Sequence, residues 1–173
     1  MRKAICLTTA LSSSAALTVL LGSGTASAAM AMPDTCPTQI TVSIASHSAY
    51  FLPGTTAFKD GRGGKITVSV TQAKTLSATL SASAEVSVSD VVASAKATVS
   101  KSVTGSVAVT VGHSYEHDIS AGKYGNAQYG SWGYKVDWER IKENGNCTST
   151  VLSEGTATLP VSSVGWRYWE TSS

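Results

Sequence analysis

The chain has 173 residues, with 13 lysines and arginines against 11 aspartates and glutamates. That near-balance excludes the broad basic surface needed by a nucleic-acid partner. It also excludes binding driven by bulk attraction to anionic lipid.

The first 28 residues read as a cleavable export signal. Arg2 and Lys3 give a positive start, Ala4 to Leu21 is apolar, and Ala26-Ser27-Ala28 supplies the small-x-small pattern of a signal peptidase site. A permanent membrane anchor is the alternative. Thr8, Thr9 and Ser12 to Ser14 dilute the apolar stretch and count against it. Cleavage after Ala28 leaves residues 29–173 as a single secreted, extracellular domain. Losing Arg2 and Lys3 makes its charge balance even. Cys36 and Cys147 remain, and outside the cell such a pair predicts a disulfide.

In chain order, Ile40-Thr41-Val42-Ser43-Ile44 alternates as a strand does. A turn-rich stretch follows, through Pro53-Gly54 and Asp60-Gly61-Arg62-Gly63-Gly64. Residues 65–112 are then dominated by Ser, Thr, Ala and Val, with no aromatic residue. Ile66, Val68, Val70, Leu76, Leu80, Val86 and Val88 take even positions, while Thr67, Ser69, Thr71, Ser77 and Ser87 take odd ones. Side chains alternate across a strand, so one face is apolar and the other hydroxylated.

After Asp90 the parity reverses, and Val91, Ala93, Ala95, Ala97, Val99 and Val103 carry the apolar set. An antiparallel hairpin over about 65–112 requires such a reversal. The expected register sets Val88 against Ala93, Val86 against Ala95 and Ala84 against Ala97, with Glu85 opposite Lys96. A helix over Asp90 to Lys101 competes, with Val91, Val92, Ala95 and Val99 as its stripe. The expected fold is therefore all-β and mainly antiparallel: an elongated sheet with a long amphipathic hairpin, and a short helix as the rival at its tip.

Residues 113–173 change character. Aromatic residues return, glycines punctuate them, and Tyr134 to Trp138 and Thr156 to Leu159 read as strands. Asn144-Gly145 is a strong turn signal. Trp132, Trp138, Trp166 and Trp169 have two readings. They form the core that a Ser/Ala-rich domain otherwise lacks, or they stack on sugars or settle at a lipid interface.

Catalytic signatures are missing. The sequence contains no nucleophile elbow, phosphate loop or dinucleotide fingerprint, and its serines follow the strand period. His113 and His117 fall on one face of a strand, where zinc motifs usually place such a pair on a helix with a third ligand. The expectation is a protein that is not an enzyme and carries no metal or cofactor.

In the hairpin reading, Leu76 to Val88 and Ala93 to Thr104 are each long enough to cross a bilayer, which takes roughly 9–11 residues of strand. Leu76, Leu80, Val86, Val88, Val91, Val92, Val99 and Val103 would supply the lipid-facing contacts. Lys101 interrupts that face and must lie near an interface, because at the midplane it costs roughly 2–4 kcal/mol.

This hairpin, flanked by strands and followed by Ser120-Ala121-Gly122-Lys123-Tyr124-Gly125, resembles the pore-forming module of aerolysin and the related epsilon-toxin/mosquitocidal-toxin proteins over about residues 64–138. The resemblance implies a secreted monomer that forms a homo-oligomer and refolds its hairpin into a transmembrane barrel. The chain departs from that family in being short, with no separate receptor domain unless the aromatic C-terminal stretch serves. The expected partner is a membrane surface. The alternatives are a protein partner, joined by strand addition in a secreted or cell-wall assembly, and a glycan held by the tryptophans.

Overall fold

The computed structural model describes residues 35–81 and 85–173, so the segment expected to be an export signal and Ala84 lie outside the described residues. The chain forms a mainly antiparallel β-sheet curled into a half-barrel, with one short helix.

One strand organises the sheet. β1 is Gln39–Pro53, β2 is Phe58–Ser69, and β6, met later in the chain, is Ser114–Glu143. The C-terminal half of β6 pairs with β1 and its N-terminal half with β2, so β1 and β2 lie end to end along one side of it. On the other side, β7 (Ser149–Leu159) pairs with residues 134–143 of β6 and β8 (Val164–Thr171) with residues 124–131. The result is a ribbon on a 30-residue spine, roughly 100 Å of strand path, three strands wide over most of residues 124–143 and two strands wide, β2 with β6, over 114–123. The disulfide Cys36–Cys147 closes the end where β1 begins and β6 turns into β7.

Between β2 and β6 the chain leaves the ribbon and returns. This excursion holds β3 (Lys74–Ser77), β4 (Thr79–Leu80), helix α1 (Val88–Thr98) and β5 (Ser106–Val109). β3 pairs with β5 as the two arms of a hairpin. Their register differs by two residues from the sequence expectation, with Leu76 facing Val107.

The rival reading prevails at the tip, which is helical. Ser87 caps α1 by accepting from the Asp90 amide at 3.2 Å, and the Asp90 carboxylate accepts from the Ser87 amide at 3.2 Å. This reciprocal arrangement satisfies two amides that otherwise lack partners. Helical spacing then places Val91, Val92 and Ala95 together, all buried. They join Val86, Val103, Val136, Leu159 and the fully buried Trp138 in the largest core cluster. A strand would turn Val91 and Val92 to opposite sides. The helix buries both, which is why the expected pairing of Val88 with Ala93 and of Glu85 with Lys96 does not form.

Candidate functional site

The candidate site is the excursion and the surface it covers. On β6 the odd-numbered Tyr129 and the even-numbered Val136 and Trp138 point to opposite faces. Leu76, Val70 and Val109 of the excursion pack with Leu52 and Tyr129, whereas α1 packs over Val136 and Trp138. β3–β5 and α1 therefore grip opposite faces of the ribbon, and the chain between them passes round its β7 edge. The outgoing arm is fastened there by β4, with Thr79 opposite Thr158 and their hydroxyls in contact. The Ser81 amide donates to the Thr156 carbonyl at 2.8 Å. The returning arm is fastened by the Thr104 amide to the Pro160 carbonyl and the Ser162 amide to the Ser102 carbonyl, both 2.9 Å. Arg140 on β6 forms an ion pair with Glu85 just before the helix cap.

The apolar residues expected to face lipid are mostly hidden in this arrangement. Leu76, Val86, Val91, Val92 and Val103 are buried, Leu80 and Val99 are half-buried against the α1 core, and Val88 lies exposed on α1. Full burial of one such side chain is worth about 1.5–3 kcal/mol. Stripping five or six of them from the ribbon costs on the order of 10 kcal/mol, comparable with the whole net stability of a domain. Opening therefore requires a new apolar environment to receive them.

The junction with the ribbon interrupts the ladder but keeps its register. Ile66 faces His117 on β2 and β6. Ten residues further along one arm and ten back along the other, Leu76 faces Val107 on β3 and β5. Between these ladders, the Val70 amide donates to the His113 carbonyl at 2.9 Å and the Gly112 amide to the Val70 carbonyl at 3.0 Å. The two arms thus hold one register across the point where the hairpin folds over. Gly112 sits at that fold with φ of 90°, a left-handed conformation that an L side chain resists.

The four tryptophans separate. Trp138 is core, which leaves it no face to offer a ligand. Trp166 lies on the β3–β5 face in an aromatic ladder with Tyr129 and Tyr115. His113 stacks on Tyr129, and His117 stacks on Tyr168. Among the described residues no group of three or more His, Cys, Asp or Glu is placed to hold a metal ion.

In the same ladder, burial pushes the Tyr168 hydroxyl up to about 12, aided by its hydrogen bond to Glu170. The Ser120 amide holds the Glu170 carboxyl below the ordinary carboxylate range, and the Tyr168 hydroxyl adds to that.

Trp132 and Trp169 lie on the opposite face, linked by residues that the sequence reading missed. The Arg167 guanidinium lies 4.6 Å from the Phe51 ring centre and 4.7 Å from that of Trp169. Phe51 in turn meets Trp132 edge-on at 4.9 Å. The only local signal was a cation between aromatic residues in Trp166-Arg167-Tyr168-Trp169. Phe51 is too distant in sequence to complete a pattern.

No protein-family model matches the chain, and no curated protein or solved structure is significantly similar to it.

Proposed function

We propose that the protein is a secreted, non-catalytic β-module that perturbs membranes by releasing residues 70–113 as a hairpin. The observation that supports this most is the single register held across the fold-over at Val70 and His113. Release needs no re-pairing of the two arms. Unclasping from the β7 edge and melting α1 let the ladder run on toward Asp90 and Ala93. That register keeps Leu76 with Val107, Leu80 with Val103 and Val86 with Ala97 on one apolar flank, with the hydroxyl residues on the other. Ser and Thr would line a wet lumen once several copies close their edges. Lys101 interrupts the apolar flank and would stand at a lipid boundary.

The test is dye release from liposomes, with the clasp made switchable. Thr79→Cys with Thr158→Cys joins directly opposed residues of β4 and β7. The stapled protein is expected to release nothing and to recover when the staple is reduced. Native protein inactive on every lipid mixture, or stapled protein as active as reduced, removes the reading.

A second reading rests on β1, which ends the sheet in the described residues and spans 15 residues. An unpaired edge of that length suits strand addition by a protein partner. A stable complex recovered from native culture fluid and abolished by a proline at Ser43 would favour this adaptor role.

A further inference from the structure

On the face of the ribbon opposite β3–β5, a cavity of about 340 Å³ is bordered by Tyr50, Phe51, Trp132, Gly133, Tyr134 and Arg167. Trp132 stands 49% exposed in the middle of a sheet, and Tyr50 is 44% exposed. The Trp132 ring therefore presents apolar surface that the fold does not cover. Phe51 is the ladder partner of Trp132, so strand alternation puts both rings on this face. Gly165 faces the edge of the Trp132 indole, and a Cβ there would lie 3.5 Å from its Nε1.

The polar side of the cavity is one-signed. Arg167 is held rigidly between the Phe51 and Trp169 rings. Its Nη2 donates to Gln128 Oε1 at 3.0 Å, while its Nε–H is buried without an acceptor. Among the residues bordering the cavity there is no carboxylate to neutralise it. The Trp132 indole N–H adds a further donor.

We infer that this cavity binds a pyranose carrying a carboxylate, of the kind found in acidic surface polysaccharides. Flat aromatic faces take the C–H face of a sugar ring, and few convergent polar groups fix its orientation. A cation pinned between two rings, at a cavity with no carboxylate of its own, matches a carboxylate beside that ring. The site involves no residue of the excursion between Val70 and His113. Binding here is therefore independent of hairpin release, and either claim can fail alone.

The test is titration of the folded protein with glucuronic acid, followed by tryptophan fluorescence and calorimetry. Glucose serves as the neutral ring and inorganic phosphate as the ringless anion. Saturable binding of glucuronic acid in the millimolar range is expected, with glucose and phosphate each weaker by roughly tenfold or more, the effect of losing one charge-assisted contact. Trp132→Ala should abolish binding. Arg167→Gln should erase the preference for glucuronic acid over glucose, and Arg167→Lys should restore only part of it. Circular dichroism confirms that each variant is folded, and Trp132→Leu, which keeps an apolar side chain without a flat ring, replaces Trp132→Ala if that variant is not. No saturation by glucuronic acid, equal binding of glucose, or equal binding of phosphate overturns the inference.

Discussion

Ser131 shows how a single side chain can govern a junction. It is fully buried. Its single O–H is shared between the Val161 and Ser163 carbonyls at 3.0 and 3.2 Å, and its oxygen accepts from the Val161 amide at 3.1 Å. It thus fastens β6 to the link between β7 and β8. Ser131→Ala strands those backbone groups and should cost about 1–3 kcal/mol, read as a lower urea midpoint with unchanged slope. Gly130 is constrained sterically: a Cβ would sit 2.1 Å from the Leu52 carbonyl oxygen and 2.8 Å from the Phe51 ring. Gly130→Ala should destabilise by roughly 1–3 kcal/mol or more, because backbone cannot yield as a side chain can. Neither role is visible in a linear sequence. Ser131 is one serine in a serine-rich chain, and its partners are more than 25 residues away.

At the scale of the element, α1 depends on its cap. Ser87→Ala should cost about 1 kcal/mol, with hydrogen exchange accelerating selectively in residues 88–98. The bond from Ser87 holds the Asp90 carboxyl below its ordinary value. A depressed acid contributes stability above its unfolded pKa, near 3.9 for Asp, and loses it as pH falls through the lower folded value. Glu170 has the same sign. Acidification through and below the ordinary carboxylate range should therefore loosen the start of α1 and the end of β8 before the central sheet, a sequence that NMR amide shifts would resolve. The strands were legible because alternation over 65–81 and 103–111 is strong. The helix was legible only as a rival, since Val91, Val92, Ala95 and Val99 satisfy helical spacing while their neighbours satisfy strand parity. What decides it is Trp138, whose buried indole is covered by α1 and lies over 40 residues away.

For the whole molecule, the disulfide closes a loop with a sequence separation of 111 residues. Its loss should cost about 4–5 kcal/mol in the chain-entropy account, seen as a large fall in thermal midpoint on reduction. The pairing of Cys36 with Cys147 and the mainly antiparallel sheet were readable from residue types alone. The two-sided grip of residues 70–113 was not, because it depends on which face of a curled ribbon each core occupies. The shared spine also has a bearing on biogenesis. β1, β2, β7 and β8 all find their hydrogen-bonding partner in β6. Until the ribosome has made residues 114–143, the first two strands have nothing to pair with, and only the small β3–β5 hairpin can close. Such long-range pairing delays folding. For most of its synthesis the nascent chain lacks its architecture, which can assemble only once the central strand is delivered.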